Sequence, residues 1–423
     1  MAGCGTVGGG VWRHLLLHAD LLRQRTGTDI AITKVAVRTP AKARALGVPE
    51  DKITTDWRSL ASDPDIDVVV ELMGGTKEAR ELIVSALKAG KHVVTANKAL
   101  LAESGAELFN AARQAQRQLL FEASVAGGIP IIKSLREGLI ANRILSVHGI
   151  INGTCNYILT RMTGQGLEYA EALAEAKAGG YAEADESLDV DGHDAAHKAA
   201  ILASLAYGFW VEPDHLYVEG IRHVQRRDID FARKLGYELK LLAIIKTDDE
   251  QAVEVRVHPT LIPSTHVLAS VSGVFNAISV RGDVVGETLF YGRGAGADAT
   301  ASAVLGDIAE IAAHPEYRKC KAPETACLNA KVKTMDEVVS RYYLRLDIVD
   351  RPGVLAKVAA VLGAHSIGIS SVIQPEVHAD TSVPLILMLH DAQEKQFQAA
   401  RAGIEALDVV KGPAVVLRVE DFA

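Results

Sequence analysis

Gly3-Cys4-Gly5-Thr6-Val7-Gly8 (GCGTVG) fits the pattern G-x-G-x-x-G. Glycines at this spacing permit a tight turn and let backbone N–H groups approach a pyrophosphate at a helix N-terminus. Such a match is weak by itself, because glycine-rich openings also arise by chance. Its surroundings strengthen it. Val11–Gln24 has a helical pattern and Ile30–Val37 (IAITKVAV) is a β-branched run, so the loop sits inside one βαβ unit. Gly3, Gly5, Thr6, Val7 and Gly8 are therefore expected to hold a dinucleotide. The second strand ends at Arg38, with Lys42 and Arg44 close behind. Sites for NAD place Asp or Glu there to bond the ribose 2′-hydroxyl. A guanidinium suits a 2′-phosphate instead, which favours NADP(H) over NAD(H); the plainer alternative is a solvated basic turn. One part is missing. A loop of this kind normally follows a buried central strand, and only Met1 and Ala2 precede it. The expected explanation is a start lying upstream, with a short β-branched run directly before Met1.

Outward from the loop, Asp67–Leu72 (DVVVEL), His92–Thr95 (HVVT) and Leu119–Glu122 (LLFE) read as further strands, separated by helical patterns at Lys77–Ala89 and Ser104–Gln116. That alternation indicates a parallel sheet. The expected fold class is α/β, with a dinucleotide-binding Rossmann domain at 1–126 that lacks its first strand. From about Gly127 the pattern changes. Helices are expected at Pro130–Ile140, Asn156–Gly164, Glu168–Lys177, Asp194–Tyr207 and Ala297–Ala312. Between them lie β-branched runs, giving an α+β substrate and dimerisation domain over 127–312. Residues 313–340 are polar with two prolines and suit a linker to a separable unit. Residues 341–423 run strand, helix, strand, strand, helix, strand, a ferredoxin-like βαββαβ unit.

Composition narrows the class of function. The chain has 423 residues, 48% hydrophobic and 23% charged, with a net charge of −8. No basic run gives a nucleic-acid footprint. No apolar stretch is long enough to span a membrane, and the N-terminus is no signal peptide. Cys4, Cys155, Cys320 and Cys327 are scattered, without a paired framework or a tetrahedral zinc set, which fits a reducing, cytoplasmic setting.

The most specific stretch is Ala176–Lys198, AKAGGYAEADESLDVDGHDAAHK, rich in carboxylates. A calcium loop beginning at Ser187 would put Lys198 where a bidentate Glu must stand, which excludes that reading. A solvated acidic turn capping the following helix is the other plain reading. The functional reading begins with Asp194 and Lys198, which share one helix face at i and i+4. A lysine so placed, near carboxylates and on an apolar helix, can act as a positioned proton donor.

The stretches GCGTVGGG, VVVELMGG, HVVTANKALLA, FEASVAGGIPIIK, INGTCNYIL, GGYAEADESLDVDGHDAAHK and GRGAGADATASAVLGDI occur in one order and cover nearly the whole chain. Together they resemble bacterial homoserine dehydrogenases that carry a C-terminal ACT domain. The resemblance implies NAD(P)-dependent interconversion of L-aspartate 4-semialdehyde and L-homoserine. It implies Lys198 as proton donor, with Lys98 as a second active-site lysine and Asp194 orienting Lys198. It implies that Glu183 binds the substrate amino group, with Asp189 among its acidic neighbours. Lys98, Gly180 and Gly296 approach the cofactor. Glu122, Val125, Gly127 and Ile129 form a monovalent cation site for Na+ or K+, largely through backbone carbonyls. A homodimer or homotetramer is implied, with L-threonine as effector of the C-terminal unit. Glu186 departs from the family pattern, which usually has Pro there, so the rigidity of this loop is expected to differ. Two competing readings are a different NADP-dependent dehydrogenase, which leaves the acidic segment unexplained, and an amino-acid-sensing protein. Turnover of homoserine separates them.

Overall fold

The computed structural model describes residues 1–247, 252–314, 331–375 and 382–422. Most of the expected linker, residues 315–330, lies outside the described residues.

The nucleotide-binding half is a parallel sheet. Val68–Glu71, His92–Thr95 and Leu119–Leu120 pair in that order, and Val35–Ala36 pairs with Ile53–Thr54. The expected strand over Ile30–Val37 thus forms ladder only at Val35–Ala36. Between the two groups lies the position of the first strand. Met1–Gly3 occupy its carboxyl end: Ala2 bridges both Ala36 and Glu71. Its N–H donates to Val70 O at 2.8 Å, and its carbonyl accepts from Leu72 N at 2.7 Å. The strand expected to be missing is therefore present as a short stub, which explains how Gly3–Gly8 still leaves a sheet and enters a helix. With Ala2 counted, the spatial order is that of a dinucleotide-binding sheet, with the strand order reversing at the glycine loop.

The expected helix over Val11–Gln24 is two helices, Thr6–Leu17 and Ala19–Thr26, meeting at His18. The first buries Val11, Trp12 and Leu15 in one core with Ala301, Val304 and Ile308 of the helix Ala297–Ala313. That late helix thus returns across the chain to cover the nucleotide-binding sheet. Gly296 precedes it with φ of 115°.

The second sheet has eleven strands among the described residues. Gly286–Arg293, Phe275–Gly282, Ile144–Ile150, Tyr237–Thr247 and Ala252–Pro263 form the expected open antiparallel face. The sheet does not stop there. Val415–Val419 pairs in parallel with Ala252–Pro263 through Arg418↔Thr260 and Val419↔Leu261, and the sheet continues into Val339–Ile348, Val383–Gln393 and Ile369–Ile373. With helices Val354–Ala364 and Glu394–Glu405, these last four strands make the expected βαββαβ unit. Its own core gathers Leu344, Leu346, Val358, Leu362, Leu387 and Phe397. Yet it shares a ladder with the sheet of the preceding domain, an attachment that the polar composition of 313–340 does not foretell.

Candidate active site

The glycine loop is shaped by what it must avoid. Gly3 has φ of 97°, and a Cβ there would stand 2.3 Å from Leu72 O; one on Gly8 would stand 2.3 Å from Gly3 O. Gly5 differs, because a Cβ would meet nothing within 4 Å. Its backbone faces open space at the start of the helix Thr6–Leu17, where no side chain among the described residues caps the free N–H groups. Those groups suit an anionic ligand. The space is a cavity of about 360 Å³, lined by Gly3, Gly5, Arg38, Lys42, Met73 and Gly74 among others. Arg44 is not available to it, because Glu50 holds its guanidinium bidentately at 2.6 and 2.7 Å. Arg38 and Lys42 are exposed at the cavity rim and make no ion pair among the described residues.

Lys98 is the first residue of an eighteen-residue helix, Lys98–Ala115. Sequence periodicity starts this helix at Ser104, too late, because Asn97 is the cap: its side chain accepts from Leu100 N at 3.1 Å. A buried chain of bonds fixes that cap. Glu71, fully buried at the end of its strand, accepts from Met73 N at 2.8 Å and from the Thr95 hydroxyl at 2.7 Å. Thr95 Oγ1 accepts in turn from Asn97 N at 3.0 Å, and Asn97 Nδ2 donates to Gly75 O at 2.7 Å. Burial raises the Glu71 carboxyl above its ordinary value. One carboxylate therefore ties the cavity wall at Met73 to the helix start that carries Lys98.

Asp194 and Lys198 lie in the first turns of the helix His193–Tyr207, whose N-cap Gly192 has φ of 89°. Lys198 Nζ donates to Asp194 Oδ2 at 2.7 Å and to Ile151 O at 2.8 Å. Lys98 Nζ pairs with the other oxygen, Asp194 Oδ1. One carboxylate, 2% exposed, thus joins two lysines brought from different helices. Burial alone would raise the Asp194 carboxyl, but the two ammoniums hold it well below the usual carboxylate range. Burial lowers Lys198 from its ordinary value, against the opposing pull of Asp194.

Asn152, absent from the expected site, organises the rest. Its Nδ2 donates to Asp194 Oδ2 at 2.9 Å and to Asp189 Oδ1 at 2.7 Å, while its Oδ1 caps the helix Gly153–Gln165 by accepting from Cys155 N. An Asn before Gly-Thr and an apolar helix is a capping signal; a helix started at Asn156 overlooks it. Thr154 Oγ1 adds a bond to Asp189 Oδ2 at 3.1 Å.

The side chains of the other expected residues make no hydrogen bond or ion pair with this cluster among the described residues. Glu183 is exposed on the loop beyond Gly180 (φ 72°) and makes no ion pair among the described residues. Glu186 explains how the loop is held without a proline: it pairs with Lys177 at 2.6 Å and Arg222 at 3.0 Å. Lys177 foremost pulls its carboxyl down to about 2. At the expected cation site, the Glu122 carboxylate accepts from Ile132 N at 2.9 Å and Lys133 N at 2.7 Å. Its side chain is thereby spent as a helix cap. The carbonyl of Ile129 accepts from Ile131 N at 2.8 Å, and Ala126 and Gly127 both take positive φ, 56° and 54°. The turn therefore offers backbone oxygens rather than a side-chain cage, and no group of three His, Cys, Asp or Glu able to hold a metal occurs among the described residues.

Comparison with known proteins comes to the same region of the chain. The family profile "Homoserine dehydrogenase, NAD binding domain" matches residues 3–122, and "Homoserine dehydrogenase" matches residues 130–309. The homoserine dehydrogenase of Neisseria gonorrhoeae is 45% identical over 428 residues, covering 100% of this chain and 98% of that one. The crystal structure of a homoserine dehydrogenase from Thiobacillus denitrificans superposes with a TM-score of 0.95 at 44% identity, covering 100% of this chain and 97% of that one. A hyperthermophilic archaeal homoserine dehydrogenase in complex with NADPH matches with a TM-score of 0.63 at 29% identity, over 75% of this chain and 97% of that one.

Proposed function

This chain belongs to the homoserine dehydrogenase family and is an oxidoreductase of amino-acid biosynthesis acting on homoserine or aspartate semialdehyde; from that premise we propose how its residues carry the reaction. The observation that carries the reading is the Lys98–Asp194–Lys198 cluster; Lys98 opens the helix whose cap, Asn97, bonds Gly75 beside Gly74 of the cavity wall. A lysine ammonium has three N–H donors. Lys198 spends two of them on Asp194 and Ile151 O. The third is free for the substrate carbonyl oxygen, to which Lys198 gives its proton as the alkoxide forms. Lys98 supplies a second positive charge to the same oxygen. Two ammoniums around one carboxylate leave the cluster net positive, which favours a transition state in which oxygen gains negative charge. Asp194 orients both lysines, and Asn152 holds Asp194 and Asp189 in register. Glu183, exposed on its loop, takes the substrate ammonium, and Asp189 adds a second carboxylate to the substrate site. The nicotinamide, when bound, supplies or accepts the hydride.

NADP(H) is the preferred cofactor in this reading, because Arg38 and Lys42 at the rim are cations without carboxylate partners among the described residues. The archaeal relative described as bound to NADPH supports this choice. Gly3, Gly5, Thr6, Val7 and Gly8 take the pyrophosphate, with Gly180 and Gly296 near the cofactor. Arg38→Asp should cut the NADP+ over NAD+ ratio of kcat/KM by about tenfold or more, a charge-assisted contact being worth ~1.5–3 kcal/mol. Steady-state rates with the two cofactors check it, and an unchanged ratio removes Arg38 from phosphate recognition.

The backbone turn at Glu122, Val125, Gly127 and Ile129 suits a monovalent cation held by carbonyl oxygens, Na+ or K+. The βαββαβ unit is read as an ACT domain with L-threonine as effector, in a homodimer or homotetramer. A cytoplasmic setting fits the free, buried thiols of Cys4 and Cys155. Homoserine-dependent reduction of NADP+, with and without threonine, tests the reading as a whole. No turnover of homoserine would defeat it.

The buried tie between Glu71 and Asn97 gives a further expected result. Thr95→Val removes the hydroxyl but not the shape, leaving Glu71 Oε2 and Asn97 N without their bond. Loss of such a bond costs about 1–3 kcal/mol. The expected outcome is a fall in kcat of about tenfold with NADPH affinity nearly unchanged, and recovery in Thr95→Ser. Equal kcat in the valine and serine variants would show that Thr95 does not position Lys98.

A further inference from the structure

Tyr217–Arg222 is a short segment laid on the large sheet, where Tyr217–Val218 pair in parallel with Arg256–Val257, and it has a further partner on each side. On one side it faces the C-terminal unit. Arg418, 4% exposed, donates to Glu219 Oε2 at 3.0 Å and to Tyr217 Oη at 3.1 Å, and its guanidinium lies over the Tyr217 ring. The same guanidinium is held by Glu394 at 2.6 and 3.0 Å, and Glu394 accepts from Tyr342 Oη at 2.9 Å. Tyr217 Oη also donates to Glu219 Oε2 at 2.7 Å. Burial alone would raise the Glu219 carboxyl, but bonds from His223 and Tyr217 and the charge of Arg418 bring it down to about 2.

On the other side the segment presses on the turn that leads into the helix of Asp194 and Lys198. Val218 Cγ1 would stand 3.0 Å from a Cβ on Gly192, the N-cap of that helix. Gly220 approaches so closely that a Cβ would lie 2.1 Å from Val190 O, and Ile221 N donates to that carbonyl at 2.8 Å. Arg222 then bonds Asp191 through Nε and Nη2, Glu186 at 3.0 Å and Ser187 at 3.3 Å. Residues 186–192 are thus gripped from one side by a strap only six residues long. Asp189, which shares Asn152 with Asp194, lies in the middle of the gripped turn.

We infer that Arg418 and Glu219 are positioning residues: through the strap Tyr217–Arg222, the C-terminal unit sets the place of the turn 186–192 and so of the substrate-binding carboxylates. The inference rests on the proposed reading of Asp189 and Asp194 as part of the substrate site. It gives the C-terminal unit a physical route to turnover. A shift of Val415–Val419 or of the Glu394 helix end pulls on Glu219, and Glu219 is three residues from Arg222. Because Tyr217–Val218 and the Glu219 N–H are held on the sheet at Arg256–Val257, a pull on the Glu219 side chain is passed on toward Gly220–Arg222 and the turn they grip.

Glu219→Ala cuts the link from the strap's side and leaves Arg418 held twice by Glu394, so the fold is expected to survive. The expected result is a rise in KM for homoserine of about tenfold, with NADPH affinity within about twofold of the parent, as befits coupling inside one bonded network. Hydrogen exchange in the full-length protein should quicken in peptides covering 186–192. Arg222→Ala should do the same, and the double variant should fall short of the product of the two KM effects by about threefold or more, because both act on one turn. Should Glu219→Ala prove unstable, Tyr217→Phe removes a single hydroxyl from the link and is read in the same assays, with a smaller rise expected. Unchanged exchange over 186–192 overturns the strap. A multiplicative double variant overturns it as well. Faster exchange with unchanged homoserine KM also refutes the inference as stated, and then the fault is traced to the reading of the site, because the turn moves without the substrate responding.

Discussion

Lys198→Ala is expected to lower kcat for homoserine oxidation by about two to four orders of magnitude, the range for losing a positioned acid or base. Stopped-flow and steady-state rates with saturating NADP+ would measure it, and a variant keeping more than half of parental turnover would end the assignment. The size of the effect follows from how completely the side chain is committed. Lys198 is 8% exposed, and its two recorded bonds aim Nζ between the helix of Asp194 and the strand end at Ile151. Water has little room to replace it. The pH dependence carries a sign. In the proposed role Lys198 accepts the proton during oxidation, so it must be neutral beforehand. Burial lowers its pKa from the ordinary value of about 10.4, so kcat/KM should rise with pH and level off below that value. Asp194 works against this lowering. Asp194→Asn removes the opposing charge, so the rising limb should move to lower pH while the maximum rate falls, because the lysine loses its orienting partner. A limb that moved upward would contradict the pairing.

The acidic segment was legible because its chemistry is local. Asp194 and Lys198 at i and i+4 are joined in the helix as spacing demands, and the glycine loop stands at a helix N-terminus as its pattern requires. What the sequence hid is what only tertiary contacts create. Lys98 reaches Asp194 from another helix, and no spacing along the chain relates the two. Asn152 had a readable signal, a capping residue before an apolar helix, but its bonds to Asp189 and Asp194 depend on where two loops cross. Glu71 reads as the next-to-last residue of an apolar strand, Asp67–Leu72; its burial and its grip on Thr95 follow from a neighbouring strand. The short first strand misled in the opposite direction. Ladder bonds at Met1–Gly3 keep the glycine loop in place with a single bridged residue, where periodicity sees nothing at all.

The C-terminal unit yields the second large effect, and here composition and structure point to opposite outcomes. A polar, proline-containing stretch at 313–340 suits a linker, and cutting after Ser340 would then leave a folded, active enzyme without its effector response. The sheet argues otherwise. Removing 341–423 strips Val415–Val419 from its ladder with Ala252–Pro263. It also takes the partners of charged side chains at that seam. Asp228, 1% exposed, loses Arg345 and the Tyr343 hydroxyl. Arg256, 1% exposed, loses Glu420, which also serves Lys246. Glu219 loses Arg418. Breaking one buried pair from one side costs about 3–5 kcal/mol, and a domain is stable by only about 5–15 kcal/mol in all. The loss at Asp228, with newly exposed apolar ladder besides, consumes much of that margin. The truncated chain is therefore expected to be insoluble or to lack a cooperative thermal transition, and to show no homoserine turnover. Circular dichroism melting and gel filtration of the fragment 1–340 beside the whole chain would decide it. A soluble fragment with a sharp transition and parental kcat would mean that the shared sheet contributes little, and that the unit is the independent appendage its linker composition suggests.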